Sequence, residues 1–306
     1  MLTIPLQKKS HSKIKLFFYL ARLHKPLPIF LLYLPCLWGV ALCMTPAVDF
    51  PMLLKWGTLF AFGSVCMRSA GCIFNDLCDM PFDAKVERTR NRPLVLGLIT
   101  RKQALFPFIF FLCGGGSIWF LLNAQAKLLS LAALGLLFLY PFTKRFFVFP
   151  QCILGFAFNS GVFIAVSHLK PELLLTPQPY ILYGIGLCWT LYYDTLYATQ
   201  DVRDDLLIGL YSTAVFFKDN LKLALAGFYF AMSFLMAVLG CFLGGDIWFY
   251  LTLLLGVFYD IGIEIRRFNP KDHRAALSLF HHCILIGLGI FLLILFPKES
   301  QSLLGF

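Results

Sequence analysis

Nine of the chain's 16 Asp and Glu residues fall in two places: Asp76, Asp79, Asp83 and Glu87, then Asp194, Asp201, Asp204, Asp205 and Asp219. The first stretch reads Asn75-Asp76-Leu77-Cys78-Asp79-Met80-Pro81-Phe82-Asp83. Residues at i, i+3 and i+7 of a helix share one face, so these three Asp residues align until Pro81 breaks the helix. In the second stretch Asp194, Tyr197, Asp201 and Asp205 are spaced 3, 4 and 4, which predicts a single helical stripe. Carboxylates crowded in this way repel one another unless a cation sits among them. Mg²⁺ prefers hard oxygen ligands and commonly takes one or two carboxylates plus substrate phosphates. Two facing clusters would therefore hold metal ions on a diphosphate from both flanks, stabilising the charge that develops as it leaves. Lys144, one turn after Tyr140, and Arg88, Arg90 or Arg92 are the cations placed to assist. One such cluster alone reads as a solvated helix end. Two on one face argue for chemistry.

Arg68 precedes Asn75 by seven positions and shares its helix face roughly 10 Å deeper. A guanidinium inside an apolar run faces either a salt-bridge partner, such as Asp194, or an anionic substrate group, for which its fork suits a carboxylate. On the residues alone both readings stand.

The elements that must position these groups are set by composition. Of 306 residues 59% are apolar and 14% charged, with 34 Phe and a mean hydropathy of +0.78. A soluble globule of this size cannot hide that much apolar surface, so soluble enzymes, disulfide scaffolds and disordered chains are excluded. Lipid is the solvent. With roughly 20 residues per crossing, the apolar runs predict nine transmembrane helices, near 27–44, 52–75, 103–122, 126–143, 149–168, 179–199, 222–243, 246–262 and 277–297. Tyr and Thr dilute the sixth. No small-residue cleavage site follows the basic N-terminus, so the first run is expected to be retained.

Of the 26 Lys and Arg residues, six precede the first span, six follow the second, two the fourth, three the sixth and four the eighth. Four lie on the other side, and Arg68 lies within a span. That asymmetry makes the basic side, with both acidic clusters and the N-terminus, cytoplasmic. The net charge of +10 reflects topology and attraction to anionic head groups of the bilayer, and nucleic acid is not expected. A single domain is predicted over 1–306: a basic N-terminal segment 1–26, the bundle 27–297 and a short tail 298–306.

Weaker signals receive plainer readings. The ten Cys residues are scattered through apolar runs and read as small buried hydrophobes. His281 and His282 read as interfacial packing, and Asp260, Glu264 and Arg267 as a structural ion pair. Gly114-Gly115-Gly116 has no strand-to-helix context for a phosphate loop, so close helix packing is expected.

From Met67-Arg68 through Asp83, and again at Arg88-Thr89-Arg90-Asn91-Arg92-Pro93-Leu94, the chain resembles the UbiA superfamily of membrane prenyltransferases, in particular the 4-hydroxybenzoate polyprenyltransferase branch. The NDxxDxxxD motif matches at Asn75, Asp76, Asp79 and Asp83, and DxxYAxxDxxxD at Asp194, Tyr197, Ala198, Asp201 and Asp205. Lys25-Pro26, the run from Tyr140 to Arg145, Pro150-Gln151, Gly209 and Ser212-Thr213 also fit. The likeness spans 20–295.

The resemblance implies an all-α integral membrane protein, a bundle of nine transmembrane helices around a central cavity open sideways to lipid. It implies Mg²⁺ linking Asp76, Asp79, Asp83, Asp201 and Asp205 to a polyprenyl diphosphate, with Lys144 and Tyr140 against the diphosphate. Arg68 would hold the carboxylate of 4-hydroxybenzoate, and Asp194 and Tyr197 would position the phenol or stabilise a cation. The implied reaction is transfer of the polyprenyl group to the ring carbon ortho to the hydroxyl, towards ubiquinone, in a bacterial or mitochondrial inner membrane. Haem, homogentisate or a naphthoate are alternative acceptors. A cation-coupled transporter would instead place acids near the bilayer midplane. Three positions depart from the pattern: Val95-Leu96-Gly97 replaces Pro-Ser-Gly, Tyr211 stands where Lys is common, and Asn159 where Gly is common.

Overall fold

A computed structural model of the chain describes residues 12–44 and 49–295; Lys8, Lys9 and the expected tail 298–306 lie outside them. Among the described residues the structure is all-helical. Short α1 (Lys13–Leu20) precedes α2 (Leu27–Cys43), α3 (Phe50–Asp83), α4 (Arg101–Leu121), α5 (Ala124–Thr143), α6 (Pro150–Leu169) and α7 (Gln178–Ala198). Then follow short α8 (Val202–Ile208) and α9 (Thr213–Phe217), and long α10 (Leu221–Leu243), α11 (Ile247–Tyr259) and α12 (His273–Leu295). The long helices fall where the apolar runs predict them.

Among the described residues seven segments are long and apolar enough to cross a membrane: α3, α4, α5, α6, the run Thr213–Leu243, Ile247–Ile265 and α12. The protein is an integral, multi-pass membrane protein. The nine expected crossings need α2, which has 17 residues, and α7, whose Tyr and Asp residues lower its apolar content.

Local sequence explains the helix ends. Thr100 and Gln103 form a capping box at the start of α4, and Asn123 and Asp246 cap α5 and α11. α3 continues two residues past Pro81 and so carries all three acids of the first motif. The second motif corrects the expectation of one stripe. α7 ends at Ala198, where Thr199 Oγ1 donates to the Leu196 carbonyl (2.7 Å) and Gln200 Nε2 to that of Tyr197 (3.0 Å). These side chains compete for backbone acceptors and end the helix. Asp201 is the N-cap residue of α8, so Asp201 and Asp205 sit on a separate short helix closed by Gly209 in a left-handed conformation (φ 71°).

The core lies among α2, α6, α7, α10 and α12, with Trp38 and Trp189 fully buried and their rings 5.0 Å apart. Their indole N–H groups donate to Gly287 and Cys283 carbonyls of α12 (2.9 and 3.0 Å), so neither buried donor is orphaned. α2 and α6 approach so closely that a Cβ on Gly39 would lie 2.8 Å from both the Cβ of Ala165 and the Val162 carbonyl oxygen. Gly114 and Gly115 pack on Cys66 and Met67 of α3, as expected, whereas Gly116 meets nothing within 4 Å.

α4 and α5 are apolar all round yet largely exposed, as Phe106, Phe110, Phe120 and Leu128 show. Such helices face lipid. Cys113 and Cys241 are also exposed, which corrects the expectation of buried thiols, while Cys36, Cys43, Cys66, Cys72 and Cys283 are buried. All ten are free. α11 widens into a π-helical segment, Asp260–Ile265. There buried Asp260 accepts from Tyr229 Oη (2.6 Å) and pairs with His282 Nε2 (2.7 Å), not with Arg267 as expected.

Candidate active site

The C-terminal turns of α3 place Asp76, Asp79 and Asp83 on one buried face. Cations crowd them. Arg22 reaches Asp76 at 2.5 Å, and Arg92 pairs with Asp76 (2.9 Å) and with Asp83. Lys144 and Arg145 stand 3.8 and 3.9 Å from Asp79, which also accepts from Asn75 Nδ2 (3.0 Å). Lys144 caps α5 with its ammonium 5.0 Å from the Tyr140 ring. Its carbonyl accepts from the Tyr211 backbone N–H (2.9 Å). The Tyr-for-Lys departure thus leaves a main-chain tie to Lys144 in place.

The segment 84–100 connects the first motif to the second. Arg88 grips Asp201 through Nε (2.8 Å) and Nη2, and its Nη1 donates to Tyr197 Oη (2.8 Å). The Glu87 backbone N–H donates to Asp204 (2.8 Å). Such a forked guanidinium fixes direction as well as charge. Burial opposes the Arg88 charge, but Tyr197 and Asp201 beside it hold its pKa above the ordinary arginine value. At Asp205 burial, then the Asp201 carboxylate, pushes the carboxyl up to about 7. The carboxylates of Asp205 and Asp194 have no hydrogen-bond or ion-pair partner among the described residues.

The structure removes one of the two alternatives left for Arg68. It forms no ion pair among the described residues, and its guanidinium lies over the Phe158 ring at 5.9 Å. The salt bridge to Asp194, one of those two alternatives, is not formed among the described residues. The half-buried Arg68 guanidinium is thus left without an anion among the described residues. Asn159, at the third departure, donates to the Gly155 carbonyl (2.8 Å) and Thr190 Oγ1 (2.9 Å), and fills the space that Gly186 leaves opposite it.

The structure thus brings Asp76, Asp79, Asp83, Asn75, Tyr140 and Lys144 together, and joins Tyr197, Asp201 and Asp204 to them through the 84–92 loop. Two contributors were not legible in the motifs. Arg22 belongs to the N-terminal segment, where basic residues signal topology only, and the Glu87 donor is a backbone group.

A divalent ion suits this donor set. The available ligands are hard carboxylate oxygens, and guanidinium groups sit on them as stand-in cations. Among the described residues no three His, Cys, Asp or Glu side chains converge enough to enclose an ion. Oxygens from a bound substrate would complete the coordination, which is the usual arrangement for Mg²⁺.

Residues 32–293 match the UbiA prenyltransferase family. The chain is 38% identical over 244 residues to a 4-hydroxybenzoate octaprenyltransferase of Francisella tularensis subsp. novicida, covering 80% of this chain and 84% of that one. It is 37% identical over 257 residues to a mitochondrial 4-hydroxybenzoate polyprenyltransferase of Caenorhabditis elegans, covering 84% and 71%. Its fold is similar to that of an apo UbiA homolog from Aeropyrum pernix (TM-score 0.68, 22% identity, 87% of this chain and 94% of that one). It is similar also to a UbiA homolog from Archaeoglobus fulgidus bound to GPP and Mg²⁺ (TM-score 0.67, 18% identity, 92% and 99%).

Proposed function

The chain belongs to the UbiA prenyltransferase family, and on that premise we propose that it transfers a polyprenyl group from polyprenyl diphosphate to 4-hydroxybenzoate. The new bond forms at the ring carbon ortho to the hydroxyl, a step towards ubiquinone. Two relatives named for this acceptor, at 38% and 37% identity over most of the chain, support it over haem, homogentisate or a naphthoate. The observation that carries the proposal is the joining of both acidic motifs through Glu87, Arg88 and Arg92. That places carboxylates and guanidinium groups around one location, as a diphosphate and its counter-ions require.

Asp76, Asp79, Asp83, Asp201 and Asp205 would hold Mg²⁺, which when bound supplies positive charge against the departing diphosphate. Lys144 and Tyr140 face the diphosphate, and Arg22, Arg88 and Arg92 add donors that can turn from carboxylate to phosphate oxygen. The carbon–oxygen bond of the donor breaks with its electron pair on diphosphate, leaving an allylic cation. Arg68 holds the acceptor's carboxylate, so that the ring carbon beside the hydroxyl meets that cation. Asp194 and Tyr197 position the phenol or stabilise the cation, and the ring then loses a proton. Enclosure among helices keeps water from the cation. We place the whole bundle, 27–297 with nine crossings including α2 and α7, in a bacterial or mitochondrial inner membrane. The N-terminus and site lie on its cytoplasmic side, or the matrix side in a mitochondrion.

Membranes containing the protein should convert 4-hydroxybenzoate and a short prenyl diphosphate to a prenylated product, and EDTA should stop the conversion. Product formed equally well with chelator present would overturn the metal, and preference for another aromatic acceptor would overturn the substrate. Labelling of residues 84–92 from the opposite face would overturn the orientation.

A further inference from the structure

Helix α1 presents two faces. Leu16 and Leu20 are buried with Ile73 of α3, Leu94 and Ile99 of the loop and Ala104 of α4. On the opposite face Ile14 is 81% and Phe18 44% exposed, with exposed Lys13 and Lys15 on either side. Phe17, at the edge, packs on Phe106 of α4 with ring centroids 6.2 Å apart. Phe106 belongs to the exposed apolar surface that Ile109 and Phe110 continue along this membrane-crossing helix. The stripe on α1 therefore prolongs a lipid-facing surface at the helix end where the basic residues gather. An apolar stripe flanked by lysines at that depth fits the boundary between acyl chains and anionic head groups.

This helix is tied to the site. Two residues after it, Arg22 takes a left-handed conformation (φ 55°). Leu23 N–H donates to the Phe18 carbonyl (3.2 Å), Lys25 N–H donates to that of Arg22 (2.9 Å), and the Arg22 guanidinium reaches Asp76. A residue with a Cβ keeps such a conformation only where its surroundings hold it on both flanks. We propose that α1 docks on the anionic head-group layer and that this docking holds Arg22 in place beside Asp76, within reach of a diphosphate. Docking stands on α1 alone; the coupling rests on the reading of Asp76 as part of the diphosphate site.

The full chain, reconstituted in phosphatidylcholine vesicles with or without phosphatidylglycerol, tests both parts. Emission added by Phe18→Trp should be quenched by lipids brominated near the head group. The KM for prenyl diphosphate should fall when anionic lipid is added, by at most about fivefold per lysine engaged. A Lys13→Gln, Lys15→Gln variant should lose that dependence. Unquenched emission would overturn docking, and a change in oligomeric state with it would give the stripe to a second copy. Quenching with a KM indifferent to lipid would overturn the coupling. Quenching with no turnover in either lipid would support docking and count against the functional reading instead.

Discussion

The two acidic motifs solve one electrostatic problem in different ways. The first lies on a continuous helix whose three carboxylates are each contacted by at least one cation, from Arg22, Arg92, Lys144 and Arg145. The second is split between α7 and α8, with Asp201 held by Arg88 while Asp194 and Asp205 are unpaired among the described residues. A helix gives fixed spacing, so the first motif is preorganised by its own backbone. The second depends on a loop from elsewhere in the chain to set its geometry. Preorganised charge needs no rearrangement; the tethered half keeps its geometry only while Glu87 and Arg88 of the loop stay in place.

The largest effect that would sharpen this contrast comes from the preorganised half. Asp76→Asn should lower kcat/KM by about 10²–10³-fold in a prenyl-transfer assay, and should leave Arg22 and Arg92 without one of their anions. Next, Arg88→Gln should cost about 10–100-fold, from loss of a charge-assisted fork. Arg88→Lys should recover little of it, since a point charge does not reproduce the two-pronged grip. If Arg88→Lys were fully active, the tether would be a matter of charge alone and the contrast would fail.

Smaller again, Arg68→Ala should raise the KM for the aromatic acid by about tenfold, with the KM for prenyl diphosphate unchanged. Equal changes in both constants would return Arg68 to a structural role. The smallest change lies outside both motifs. Trp38→Phe removes the hydrogen bond to Gly287 and should lower stability by about 1 kcal/mol, read as an earlier thermal transition with KM values unaltered.

Much of this architecture is written in the residues. The long helices follow from apolar runs of membrane-crossing length, and the first motif lies on α3 as its spacing requires. α1, α8 and α9 escape such reading because helices of eight, seven and five residues owe their existence to tertiary contacts. The break between Ala198 and Val202 escapes it as well. A 3-4-4 spacing fits a helix, and the competing Thr199 and Gln200 side chains signal only that an end is permitted. Nor can spacing show that Arg68 stands clear of Asp194, which depends on how helices distant in the chain are arranged. Similarly, Asp260 finds His282 and Tyr229 rather than Arg267, because partners on other helices outcompete one on its own.

The widened turn at Asp260–Ile265 holds about one residue more than the regular helix it interrupts. Asp260 and Ile265, five positions apart, are thereby both turned inward, while Arg266 and Arg267 point outward. Deleting one residue from that segment would restore an ordinary helical repeat and swing everything downstream by about 100°. The chain's length at this point is therefore itself a structural specification, as binding as the identity of any side chain in it.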